Sequence, residues 1–247
     1  MLPRFYLPKI EPDNDHLVVT NKEIIHQIIS VLRLKKNDVF IIFSPQVEYE
    51  VVLKDISENQ ITITILEKRK SQREPDKKLI LYQSLLKKDK FEWILQKGVE
   101  LGIYAFVPII SNNSIVREIS NNKLKRYQKI ITEATEQCGG QHLAELKTVT
   151  SFNQAIEMIK NEQGQKILAW EGETSNELSK TVNKNSNTYH LFIGPEGGFS
   201  PSEIELAKTN NITTVSLGNR ILRAETATIA TISLISVSYT HLTLPTN

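Results

Sequence analysis

Between Leu191 and Glu203 the chain reads LFIGPEGGFSPSE, an apolar run followed by three glycines and a proline within five residues. The run reads as a buried strand ending at Gly194. Ser200, then Pro201 at a first helical position and Glu203 three residues after the serine, mark a helix start with a capping box. A glycine loop between a strand's carboxyl end and a helix is where open α/β sheets take ligands, because glycines lack the Cβ that would hold a ligand off the backbone. The spacing has neither the lysine of G-x-x-x-x-G-K-[ST] nor the pattern G-x-G-x-x-G. Glu196 inside the loop would repel a phosphate, so a cationic or neutral ligand fits the loop better.

A second stretch, Val215 to Ala227 (VSLGNRILRAETA), ends a strand at Gly218, carries Arg220 and Arg223 through an irregular segment and opens a helix-like run at Glu225. The two arginines can hold phosphate, or Arg223 can pair with Glu225. Leu168 to Glu171 ends another expected strand, where Trp170 either lines a pocket or belongs to the core.

These loops need elements to position them. Before residue 70 the texture is strand-like: Val39 to Phe43, Tyr49 to Leu53 and Ile61 to Leu66 are β-branched or aromatic runs, the last alternating strictly, with a turn expected at Ser57 to Gln60. One helix is expected after Thr20, which with Glu23 forms a capping box ahead of Ile24, Ile25, Ile28, Ile29 and Leu32. A small barrel with one helix follows, over residues 1–70. Residues 71–247 alternate instead. Strands are expected at Leu79 to Ser84, Ala105 to Ile110, Thr148 to Thr150, Lys166 to Trp170, Tyr189 to Ile193 and Thr213 to Leu217. Helices are expected at Asp89 to Leu101, Lys123 to Gln137, Phe152 to Asn161 and Pro201 to Thr209. That pattern predicts a largely parallel α/β sheet. Gly102 is expected as a helix cap, and Gly98 inside a helix as a point of close packing.

A chain of 247 residues, 40% hydrophobic, spans one to two domains. No apolar run approaches a membrane span and no signal segment opens the chain. The single cysteine, Cys138, excludes an internal disulfide, and with five scattered histidines it leaves no metal-ligand spacing. A reducing, cytoplasmic setting and metal-free chemistry are expected. Net charge is only +2, yet nine basic residues face three acids between Lys68 and Lys90, either as a phosphate-facing stripe or as a solvated linker.

The blocks IGPEGGFS and LGNRILRAETA resemble, in order and spacing, the RsmE family of S-adenosylmethionine-dependent methyltransferases that modify N3 of a uridine in 16S ribosomal RNA. Arg4-Phe5-Tyr6, and His26 followed by Val31-Leu32-Arg33-Leu34-Lys35, are similar to that family's amino-terminal PUA-like barrel. Gln96-Lys97, Glu100-Leu101-Gly102, Glu133-Ala134 and Glu136-Gln137 are similar to its central motifs. The resemblance implies a SPOUT-type α/β fold with a trefoil knot, a rare exception to the rule against threading, preceded by the barrel. It implies a homodimer acting on 16S rRNA or the small ribosomal subunit. On the matching positions it implies Gly194, Glu196, Gly197, Gly198, Leu217, Gly218 and Leu222 for S-adenosylmethionine, whose sulfonium suits a loop that disfavours phosphate. Arg4, Arg33 and Lys35 fall to RNA, although Lys35 to Asp38 also reads as a plain polar turn.

Transfer to N3 requires removal of its proton. Arg223 suits stabilisation of the negative charge, while Glu225 either accepts the proton or holds Arg223. Gly140 and Ala144 stand where the family usually has arginine and proline, and residues 239–247 match no family continuation. A catalytically silent RNA-binding protein is the competing reading; the intact cofactor blocks favour the enzyme.

Overall fold

The structure, a computed structural model, describes residues 2–45, 47–57, 59–69 and 74–239. Glu58 of the expected turn, Lys70 and Arg73 of the basic stripe, and 240–247 of the carboxyl-terminal tail lie outside the described residues. The chain divides into two compact units, Met1–Glu74 with Thr135–Leu143, and Pro75–Ala134 with Ala144–Asn247. The expected division into 1–70 and 71–247 differs from this chiefly at Thr135–Leu143.

In the first unit, β1 (Arg4–Tyr6), β2 (His16–Val19), β3 (Val39–Ser44), β4 (Val47–Ile56) and β5 (Ile61–Arg69) form one sheet in the order β1-β3-β4-β5-β2. Alternation in β5 buries Ile61 and Ile63 against Phe40, Ile42, Val51 and Leu53. α1 (Lys22–His26) adds Ile24 to that core and continues as a π-helical turn, Gln27–Val31, which adds Ile28. Its cap is Asn21, not Thr20: Asn21 Oδ1 accepts from the amides of Glu23 (3.0 Å) and Ile24 (3.2 Å). The cap falls one residue later because the asparagine carbonyl reaches both open amides. At the β4–β5 turn, the Ser57 amide donates to the Gln60 carbonyl at 2.9 Å.

Arg4, which the resemblance assigns to RNA, is buried. Its guanidinium donates to Glu48 at 2.7 Å and to the Gly140 carbonyl at 2.8 Å, and lies 4.7 Å from the Phe43 ring centroid. A cation sequestered this way serves the packing of the unit and is closed to a phosphate. The same segment is tied in by Tyr6, whose amide donates to Glu136 at 2.8 Å, and by Gln141, which donates to the Ser44 carbonyl at 3.1 Å.

The second unit is a parallel sheet of β6 (Lys78–Ser84), β7 (Ile103–Ile110), β8 (Glu145–Leu146), β9 (Thr150–Ser151), β10 (Gln165–Ala169), β11 (Thr188–Ile193) and β12 (Thr213–Val215). Its order is β12-β10-β11-β6-β7-β8, with β9 also on β7. The helices are α2 (Lys90–Glu100), α3 (Asn121–Cys138, whose residues from Thr135 on belong to the first unit), α4 (Phe152–Ile159), α5 (Leu178–Thr181), α6 (Pro201–Thr209) and α7 (Ala224–Tyr239). The single strand expected at Thr148 to Thr150 is instead two short segments, β8 and β9. Glycines behave as their positions demand: Gly102 closes α2 at φ +82°, and a Cβ on Gly98 would sit 2.7 Å from the Phe106 ring.

The core beneath the strand ends is aromatic. Tyr82 stacks on Phe192 at 4.4 Å, and Phe152 meets Phe199 at 5.1 Å, pairs worth roughly 0.5–1.5 kcal/mol each beyond burial. His190 is 2% exposed, and its ring nitrogens face Tyr82 Oη (3.4 Å) and the Gln163 carbonyl (3.2 Å). Burial holds its pKa below the ordinary 6.5 despite that carbonyl. The unfolded chain therefore binds more protons between 6.5 and the lowered folded value, so stability is full above that window and falls as pH drops through it. Denaturant unfolding between about pH 7 and pH 5 is expected to show this loss, and His190→Gln to flatten it. A slope unchanged by the substitution would rule His190 out as its source.

Candidate functional site

The sheet order places the reversal of chain direction at β10, β11 and β12. From β11 the chain returns past β10 to β12, and such switch points leave a crevice at the strands' carboxyl ends. A pocket of about 580 Å³ opens there. Its walls are the ends of β10 (Ala169, Trp170, Glu171), the glycine loop from Ile193 to Phe199, the segment from Ser216 to Ala224, and Lys90 of α2. Two stretches separated in sequence are thus brought to one cavity. Gly194, Glu196, Gly197, Gly198, Leu217, Gly218, Leu222 and Arg223 all line it, as do Arg220 and Trp170.

Local geometry explains the glycines. Gly198 has φ +66°, and a Cβ there would collide with the Glu171 carboxylate. At Gly194 a Cβ would press on the Phe199 ring at 3.3 Å, because Phe199 folds back into the core beneath the loop. Gly218 differs: φ is +112° and nothing lies within 4 Å of a built Cβ, so its backbone faces open pocket.

The loop is pinned from two sides. Within α6, Ser200 and Glu203 form the expected capping box. Glu203, 3% exposed, also accepts the Asn112 amide at 2.8 Å. Asn113 Nδ2 donates to the carbonyls of Gly197 (3.0 Å) and Gly198 (3.2 Å), and Asn112 Nδ2 to Ser200 Oγ at 2.8 Å. The Ser111 to Ser114 loop after β7 is therefore a support that sequence reasoning missed. Its only local signal was a polar SNNS run, which reads as an ordinary turn.

Lys90 was also missed, being one lysine in a charge run. Its ammonium lies 3.0 Å from Glu196 and 3.7 Å from Glu225. Burial disfavours the Glu196 carboxylate, but hydrogen bonds from Lys90, its own amide and the Lys87 amide outweigh that and hold it below the ordinary carboxylate value. Glu225 therefore faces Lys90, which corrects the expected pairing with Arg223. A residue at the first turn of α7 meets the neighbouring α2, whereas Arg223 ends the loop before it. Arg223 is exposed and makes no ion pair or side-chain hydrogen bond among the described residues. Arg33 and Lys35 are exposed in the first unit; Arg33 has φ 55°, and Lys35 and Asp38 close the polar turn through the Lys35 amide, 2.7 Å from the Asp38 carboxylate. Among the described residues no helix is long and apolar enough to cross a membrane.

A family model described as an RNA methyltransferase domain matches residues 72–236. Ribosomal RNA small subunit methyltransferase E of Bacillus subtilis is 32% identical over 228 residues, 88% of each chain. A crystal structure of the same-named protein from Neisseria gonorrhoeae, bound to S-adenosyl methionine, superposes with TM-score 0.89 at 27% identity, covering 98% of this chain and all of that one. A putative methyltransferase of Legionella pneumophila, in complex with the same cofactor, gives TM-score 0.88 at 26% identity over 96% of this chain and 98% of that one. The chain belongs to the RNA methyltransferase domain family and, within it, to the ribosomal RNA small subunit methyltransferase E proteins.

Proposed function

We propose that the protein transfers a methyl group from S-adenosylmethionine to N3 of a uridine in 16S ribosomal RNA. The observation that carries this reading is the convergence of both family blocks on one pocket at the sheet's switch point. About 580 Å³ lies within the usual range for small-molecule sites. The donor set suits the cofactor: glycine backbone for an adenosine, no loop lysine for phosphate, and the Glu171 and Glu196 carboxylates for a cation. When bound, the cofactor supplies a methyl carbon made electrophilic by sulfonium.

The chain's own residues orient and exchange charge. Arg223, exposed and without an ion pair or side-chain hydrogen bond among the described residues, stabilises negative charge spread over the uracil oxygens as the N3 proton leaves. Glu225 receives that proton; in support, it is the carboxylate nearest Arg223 along the chain and is not committed to an arginine. Loss of that proton leaves the N–H electron pair on N3, where it would take up the methyl group that a bound cofactor supplies. Arg33 and Lys35 contact RNA phosphates from the first unit, which works as a PUA-like barrel over residues 1–70.

Residues 71–247 form a SPOUT domain with a trefoil knot. Support comes from the path after β12: Ser216 exchanges hydrogen bonds with Asn176 (2.8 Å) and Leu178 (3.1 Å), and Thr228 of α7 then donates to buried Gln83 of β6 at 2.6 Å. A homodimer accounts for apolar side chains left exposed on the mutually packed α2 and α7, namely Trp93 (42%), Leu234 (37%) and Val237 (51%). The protein works in the cytoplasm, where its ribosomal substrate is made.

Calorimetric titration of the purified chain with S-adenosylmethionine tests the reading; micromolar binding is expected, and no heat of binding would contradict it. Gly218→Ala forces an alanine into a glycine conformation, roughly 1–3 kcal/mol of strain. Affinity for the cofactor should fall about 10- to 100-fold, and the strain should lower Tm by roughly 2–4 °C for each kcal/mol. Unaltered affinity in that variant would remove Gly218 from the site.

A further inference from the structure

We propose that Lys90 is a positioning residue of the cofactor pocket, its ammonium clasping the glycine loop to the first turn of α7 and so fixing the spacing of the pocket's two loops. This rests on the reading of the pocket as the S-adenosylmethionine site. Lys90 Nζ lies 3.0 Å from Glu196 Oε1 in the glycine loop and 3.7 Å from Glu225 Oε2, two residues past Arg223. Glu196 belongs to the glycine loop that lines the pocket, Glu225 directly follows the second lining segment, which ends at Ala224, and Lys90 itself lines the pocket.

The placement runs against local electrostatics. Lys90 is the first residue of α2, where the helix dipole and open amides disfavour a cation, and Asp89 makes no side-chain cap. Its attraction must therefore come from carboxylates brought from elsewhere in the chain. Glu225 Oε2 is buried and accepts no hydrogen bond among the described residues, which leaves Lys90 as its nearest compensating charge. Other charged groups on the elements packed against α7 are already engaged. Glu92 holds Arg126, Lys97 holds Glu100, Lys180 holds Glu177, and His190 faces Tyr82 and Gln163. The three side chains of the clasp are only 33%, 28% and 19% exposed, so water and salt screen it less than a surface pair. The Lys87 amide, 3.4 Å from Glu196, holds the same loop from the same segment.

The test compares wild type, Lys90→Met and Lys90→Arg by calorimetric titration with S-adenosylmethionine and by steady-state kinetics on 16S rRNA. The proposal expects Lys90→Met to weaken cofactor binding about tenfold and to raise the KM for S-adenosylmethionine in parallel. Lys90→Arg, which keeps the charge, should recover binding to within about threefold. Binding by Lys90→Met equal to wild type, or an arginine variant no better than methionine, overturns the proposal and leaves the cofactor reading standing. A wild-type protein that binds no cofactor overturns both.

Discussion

Arg223→Ala should lower methyl transfer to 16S rRNA by at least about 100-fold, the loss typical of removing one donor to a developing oxyanion. Cofactor affinity should change by less than about threefold, because a pocket-lining side chain at the exposed rim adds little to a site built from backbone. The fold should also be indifferent: Arg223 has no internal ion pair or side-chain hydrogen bond among the described residues, so its removal strands no partner. Arg223→Lys should recover only part of the rate, since an ammonium supplies charge without the planar fork. Single-turnover kinetics with cofactor held saturating separates the chemical step from binding. Full turnover in the alanine variant would remove Arg223 from the chemistry.

Glu203→Ala is expected to have the largest effect on stability. One carboxylate, 3% exposed, accepts the Ser200 amide (2.8 Å) and hydroxyl (3.0 Å) on Oε2 and the Asn112 amide (2.8 Å) on Oε1. Alanine removes half of a capping box, about 1 kcal/mol, and leaves partly buried amides unsatisfied at about 1–3 kcal/mol. A total near 3 kcal/mol lowers Tm by roughly 6–12 °C in a protein of this size. Cofactor binding should weaken as well, because Asn112 and Asn113 brace the glycine loop from the other side. Glu203→Gln keeps the shape and much of the hydrogen bonding, and should recover over half of the loss. Calorimetric melting reads both; a Tm within about 2 °C of wild type in the alanine variant would show that the network is dispensable.

These two residues illustrate what the chain made legible. The capping box, the glycine loop and the parallel α/β alternation rest on short-range chemistry: hydroxyl at a helix start, glycine where φ turns positive, β-branched runs where a strand is buried. Every expected cofactor residue therefore lines the pocket. What escaped depends on distant partners. Lys90 sat in a charge run because nothing nearby reveals Glu196 and Glu225, more than a hundred residues away. The resemblance gives Arg4 to RNA, and only folding supplies Glu48, Gly140 and Phe43 to enclose it. Thr135–Leu143 joins the first unit through hydrogen bonds from Arg4, Tyr6 and Gln141, an arrangement no local periodicity encodes. The four-residue α5 and the short β1 and β2 are held by tertiary pairing, and carry too few residues for any period to show.

The central claim is chemical, so the decisive measurement identifies the product. Protein-free 16S rRNA and small ribosomal subunits, both lacking the modification, are incubated with the protein and methyl-labelled S-adenosylmethionine, then digested to nucleosides and resolved by mass spectrometry. The account predicts labelled 3-methyluridine, stoichiometric with one site, from at least one of the two substrates. Label on another atom or base would contradict the N3 assignment. Cofactor binding with no label in either RNA would contradict the enzyme and favour the silent RNA-binding protein.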